Sequence, residues 1–158
     1  MTTAIAPRID FEKHAAGFYR AMAHLDQAAT KELDNAGIDV RLRELVRIRA
    51  SQLNGCAFCI DMHSKDARAA GESEQRIYAL AAWRETPFFD ERERAALGLT
   101  ESVTLMPQTH VPDADFADAA KQFSETELGA LISLIVMINA WNGVGVTTHA
   151  WLPGSYQP

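Results

Sequence analysis

The chain carries two cysteines, Cys56 and Cys59, and they stand three positions apart in the run Asn54-Gly55-Cys56-Ala57-Phe58-Cys59-Ile60-Asp61-Met62-His63. On a helix, residues at i and i+3 share a face, so the two thiols can close a disulfide. Asn54-Gly55 is a helix-breaking pair, which places both cysteines in the first turn of a new helix. There the free backbone N–H groups and the helix dipole favour a thiolate. Cys56 is nearer the helix start, so it is expected to be the better stabilised thiolate and the more open to an incoming reductant. His63 follows Cys59 by four positions, one turn along the same face, where an imidazole can take the thiol proton.

A carboxylate joins this set by geometry. If Asn54-Gly55 turns the chain into an antiparallel helical hairpin, distance from the turn decides which residues meet. At about 1.5 Å per residue, Glu44 lies roughly 15 Å back from Asn54 and His63 roughly 13 Å forward. They are level, although 19 positions apart in sequence. Asp39, the other acid on that helix or its edge, lies too far back. A carboxylate at Glu44 can orient the imidazole and hold it basic.

Other chemistries compete for the same residues. Buried cysteines often act as small hydrophobes. Cys-x-x-Cys is also zinc-ligand spacing with His63 as a third ligand, but no fourth ligand stands at a suitable distance. His14, His24, His110 and His149 read as surface or loop residues. Trp83, Trp141, Phe88 and Phe89 read as core or subunit-contact aromatics. Asn139 and Asn142 interrupt an apolar helix and must find partners if buried, so they read as helix-packing hydrogen bonds.

The elements that position these residues are helical throughout. Asp10 can cap a helix with the face Phe11, Ala15, Phe18, Met22, Leu25 and Ala29, and Gly37 lies past its end. A second helix runs from about Val40 to Leu53, with Leu42, Leu45, Val46, Ala50 and Leu53 on one face. The cysteine helix runs from about Cys56 to Ala70. Ser73 opens a fourth helix that Pro87 ends. Asp90-Glu91-Arg92-Glu93 carries a capping-box pattern for a fifth, to about Leu105. Pro107–Pro112 reads as a loop, and a short helix covers about Asp113–Phe123. Ser124-Glu125-Thr126-Glu127 opens a last helix to about Thr148, apolar nearly all round and expected to run through the middle of the core. The reading is all-α: one domain over 1–158, a bundle of about seven helices.

The chain has 158 residues, 47% hydrophobic and 23% charged, which excludes a mostly disordered chain. Its length gives a core that needs no disulfide staples. A net charge of −6 without any basic run argues against a nucleic-acid partner. Two cysteines cannot make a secreted disulfide framework, so the expected compartment is the cytoplasm. Met1–Pro7 lacks the basic and apolar regions of a signal peptide. Leu128–Val146 is apolar but contains Ser133, Asn139, Asn142, Gly143 and Gly145, so it reads as a buried helix and not a membrane span.

The set Glu44, Cys56, Cys59 and His63, at these spacings, resembles the signature of the carboxymuconolactone decarboxylase/alkylhydroperoxidase D-like superfamily. So do Leu45-Val46-Arg47-Ile48-Arg49-Ala50-Ser51-Gln52, Ala82-Trp83-Arg84-Glu85, Glu93-Arg94-Ala95-Ala96-Leu97 and Ile138-Asn139-Ala140-Trp141-Asn142. The resemblance covers about Val40–Trp141. It implies an all-helical fold, assembly as a homotrimer or homohexamer, and a thiol-dependent peroxidase or disulfide oxidoreductase. In that role Cys59 attacks the hydroperoxide, Cys56 resolves, and Glu44 with His63 relays the proton. An external dithiol is then the reductant, and no cofactor or metal is implied. One departure stands out: the best-characterised peroxidase members carry a histidine between the cysteines, where this chain has Ala57-Phe58. The alternative from the residues is a non-catalytic oligomeric helical protein whose cysteine pair senses redox state or packs.

Overall fold

The structure is a computed structural model that describes residues 5–158. Met1–Ala4, part of the segment read as leaderless, lie outside the described residues. Among the described residues there are helices and turns and no strand, so the fold is all-α. Among the described residues nine α-helical segments replace the seven expected: α1 (Phe11–His14), α2 (Ala16–Asn35), α3 (Val40–Asn54), α4 (Ala57–Ala69), α5 (Glu74–Ala79), α6 (Glu91–Thr104), α7 (Met106–Thr109), α8 (Asp113–Gln122) and α9 (Glu125–Thr148). One added segment comes from a break in an expected helix and the other from a helical turn in an expected loop, and a third expected element changes helix type. Ala15, at φ −127° and ψ 38°, splits α1 from α2. The helix opened by Ser73 passes into a 3-10 helix at Leu80–Glu85, kinked at Ala82, which delivers Trp83 into the core. Pro107 starts one helical turn instead of a loop, because its missing N–H costs nothing at a helix start.

The first expected face is corrected. Met22, Ala29 and Leu33 are buried, whereas Phe18 and Leu25 are 60% and 58% exposed. The buried stripe steps through 22, 26, 29 and 33, and its second position is Asp26, which borders a cavity. A polar residue on the inward face misdirected a reading based on hydrophobicity.

The α3–α4 hairpin is built as its sequence dictates. The Asp39 carboxylate accepts from Arg41 N–H and caps α3. Gly55 closes it in the left-handed region at φ 70°. Its N–H donates to the Gln52 carbonyl, and Cys56 N–H donates to that of Ser51. Cys56 is extended at the N-cap of α4, and its carbonyl accepts from Ile60 N–H.

Helix α9 packs on α2 and α3 and, over a shorter contact, on α6. Leu128, Leu131, Leu134 and Ile135 join Leu42 and Val46 of α3 and Ala96 and Leu99 of α6 in the largest buried cluster. By length and composition α9 could cross a membrane, but most of its large apolar side chains are used for packing within the fold. The exceptions are Val136 and Val146, 51% and 38% exposed, so α9 is not enclosed all round.

Candidate active site

Cys56 and Cys59 form a disulfide at the start of α4, with Cα atoms 5.4 Å apart. They pack with Ala50 of α3, Ile138 of α9 and Phe58. Each cysteine is only 2% exposed. The expectation that Cys56 is the more open of the two is therefore corrected. Cys59 lines a cavity of about 420 Å³, while Cys56 faces α9, where a Cβ built on Gly145 would come within 3.1 Å of its sulfur. The N-cap position brings Cys56 to the helix start but tucks it under a neighbouring helix.

The hairpin brings Glu44 and His63 together. His63 Nδ1 lies 2.9 Å from Glu44 Oε2, and both residues are buried. Arg47 of α3 donates to the other Glu44 oxygen. Burial pushes the Glu44 carboxyl up, but the hydrogen bond from His63 and the Arg47 guanidinium outweigh it, and the group sits below its ordinary range. An ionised carboxylate can only accept, so Nδ1 carries the proton in this pair and Nε2 is left as the base. His63 and Cys59 line the same cavity.

Asp66, three residues past His63, places Oδ2 4.0 Å from His63 Nδ1. Glu44, His63 and Asp66 are close enough to be considered as ligands of one cation. Glu44 already holds Arg47 and His63, however, and the sulfurs are not in that group. The arrangement suits a proton relay better than a metal centre.

Polar groups lock the turn beneath the sulfurs. Asn54 Nδ2 donates to Asn139 Oδ1 at 2.8 Å and to Asn142 Oδ1 at 3.0 Å. Asn142 Nδ2 donates to Ser51 Oγ at 3.0 Å. Asn139 and Asn142 thus serve as helix-packing partners tying α9 to the end of α3.

The cavity walls are aromatic. Tyr19, Phe58, Trp141 and Trp151 line it, with Asp26 and Arg47 among the polar members. Trp151 stands 5.8 Å from the Phe58 ring and 5.9 Å from the Trp141 ring. Arg47 and Asp66 were not singled out by sequence, although each stands three positions from a site residue, spacing that a search along each helix face would have found. Nothing local announced Trp151, which arrives from the segment after α9.

A model of the carboxymuconolactone decarboxylase family matches residues 16–102. The uncharacterized protein YdfG of Bacillus subtilis (strain 168) is 46% identical over 116 residues, 73% of this chain and 79% of that one. A protein of unknown function from Agrobacterium tumefaciens, provisionally assigned to antioxidant defence as AhpD, superposes with a TM-score of 0.86. It is 36% identical and covers 94% of this chain and 99% of its own. An uncharacterized peroxidase-related protein with an alkylhydroperoxidase AhpD core, from Ralstonia eutropha JMP134, has a TM-score of 0.77. At 20% identity, covering 91% of this chain and 74% of that one, it speaks for the fold alone.

Proposed function

The chain belongs to the carboxymuconolactone decarboxylase family, and from that premise we propose that it is a thiol-dependent peroxidase acting on hydroperoxides. One observation carries the reading: Cys59, paired with Cys56, opens onto the same cavity as a histidine whose Nδ1 is held by a buried carboxylate. In the reduced protein, His63 Nε2 takes the Cys59 proton. The thiolate attacks the outer peroxide oxygen, an S–O bond forms and the O–O bond breaks. The departing alkoxide takes the proton from His63 and leaves as an alcohol. Cys56 then attacks the Cys59 sulfenic acid, forming the S–S bond and releasing water. An external dithiol reduces the disulfide and is itself oxidised to a disulfide. A compartment that supplies dithiols, the cytoplasm, suits this cycle. Phe58 and the aromatic walls favour a bulky apolar hydroperoxide over hydrogen peroxide.

The test uses the reduced protein with cumene hydroperoxide, tert-butyl hydroperoxide and hydrogen peroxide. We expect disulfide formation in the order given. Cys59→Ser should abolish peroxide consumption. Cys56→Ser should react once and stall as a sulfenic acid on Cys59, trapped by dimedone. An adduct on Cys56 in the Cys59→Ser protein, with none on Cys59 in the reverse variant, would invert the roles. No adduct in either favours a non-catalytic protein whose cysteine pair senses redox state or packs.

A further inference from the structure

The segment after α9 returns across the cysteine helix and is fastened to its outer side. Gly154 N–H donates to Asp61 Oδ2 at 2.9 Å. Lys65 Nζ donates to the Tyr156 carbonyl at 3.0 Å and to Asp61 Oδ2 at 2.9 Å. The Tyr156 hydroxyl donates to Asp66 Oδ1 at 2.7 Å. The opposite oxygen of that carboxylate is the one that stands 4.0 Å from His63 Nδ1. The proton relay therefore has two carboxylates near one imidazole nitrogen, and only Glu44 is bonded to it.

We propose that Tyr156 is a positioning residue of the site: by binding Asp66 it keeps that carboxylate from bonding His63, so that Glu44 alone is hydrogen-bonded to the imidazole. The inference rests on the relay described above. A free Asp66 can turn onto Nδ1, compete with Glu44 for the ring N–H and add a second negative charge beside the imidazolium. Tyr156 prevents the first by holding Oδ1 and weakens the second by drawing off part of the charge. The other charged or titratable groups facing the imidazole are accounted for. From α3 come Glu44 and Arg47, from α4 Cys59, and from α2 Asp26 and Tyr19, which border the cavity. Helix α9 contributes Leu134, Ile138 and Trp141, none of which titrates. The hydrogen bond to Asp66 also pushes the Tyr156 hydroxyl up to about 12, so it remains a donor across the range in which thiols titrate.

The test is made in the reduced Cys56→Ser protein, where Cys59 cannot be lost to a disulfide. Alkylation of Cys59 by iodoacetamide is followed against pH, a reading that needs no peroxide. In Tyr156→Phe the released carboxylate favours the imidazolium, so the Cys59 thiolate appears earlier and the midpoint falls by roughly half a pH unit. Asp66→Asn keeps an acceptor for Tyr156 but removes the charge, so the midpoint rises by a comparable amount. Because Tyr156 acts through Asp66, adding Tyr156→Phe to Asp66→Asn should change nothing further. A merely structural role for Tyr156 moves thermal stability without this pattern. An unmoved midpoint in Tyr156→Phe, or a shift that persists in the Asp66→Asn background, overturns the proposal. Should the shifts occur while no hydroperoxide oxidises Cys59, the positioning stands and the peroxidase reading falls. Should hydroperoxide oxidise Cys59 with no shifts, the reverse holds.

Discussion

Glu44 is the residue on which most of the site's electrostatics converge, since its two oxygens serve Arg47 and His63 from inside the core. Glu44→Gln keeps the shape but removes the charge that favours the imidazolium. Stopped-flow oxidation of the reduced protein should be slowed, most around neutral pH. His63→Ala should cost at least as much, on the order of 10²–10⁴-fold. If either variant reacts like the parent between about pH 6 and 8, the relay is wrong. The same carboxylate also has a stability signature. A group depressed in the folded state contributes stability that is fully present above its ordinary value of 4.5 and lost as pH falls through its lower folded value. The melting temperature of the parent should therefore drop below that ordinary value more steeply than that of Glu44→Gln. Equal slopes would mean that Glu44 carries no such linkage. Glu44 could be placed from sequence because a hairpin turn converts chain distance into height. Asp66 and Tyr156 could not be assigned together, since they meet from 90 positions apart in the chain and no local pattern joins them.

At the scale of the helix, the informative position is Gly145. A glycine inside α9 gives up about 1 kcal/mol of helix propensity relative to alanine, and of Gly129, Gly143 and Gly145 in this helix only Gly145 has atoms close to where a Cβ would stand. A Cβ there would meet Cys56 Sγ at 3.1 Å and the Trp151 ring at 3.5 Å. Gly145→Ala should leave the fold intact, because the propensity gain opposes the crowding. It should slow closure of the Cys56–Cys59 disulfide severalfold by pressing the Cys56 sulfur out of place, and shift tryptophan fluorescence. Unchanged closure, measured by loss of free thiol after one equivalent of peroxide, would show that α9 gives way instead. Helix boundaries were legible wherever caps were written locally. The capping boxes at Asp90/Glu93 and Ser124/Glu127 both form. They were illegible at Ala82, which no adjacent Pro or Gly marks, and at Ala15, where Gly17 stands two residues past the break and not at it.

For the molecule as a whole, the surface that remains is the guide. Its exposed area is 8784 Å², against roughly 7,900 Å² for a compact monomer of this mass. Part of that surface is the outer face of α9, where Gly129, Val136, Ala140, Gly143 and Thr147 are exposed and Ser133 is half-buried. These positions recur at alternating steps of four and three, the seam spacing of packed helices, and their small side chains permit close approach. Phe11 and Phe18 share a shallow groove with Ala140 and Gly143, so the aromatic residues that left the expected inner face border this same strip. Hydropathy alone could not separate this face from the buried one, because Ile135 and Val136 are both apolar, yet Ile135 is fully buried and Val136 is exposed. An apolar strip of this kind is suited to a second copy of the chain. We expect a homo-oligomer, a trimer or a hexamer on family grounds, held partly through α9. Multi-angle light scattering of the parent should give a multiple of 17.4 kDa. Val136→Asp, a charge placed at the centre of the strip, should lower the assembly state while circular dichroism remains helical. A parent mass of one chain at micromolar concentration would rule the assembly out. An oligomer indifferent to Val136→Asp would move the interface away from α9 and leave the groove beside Phe18 without a partner.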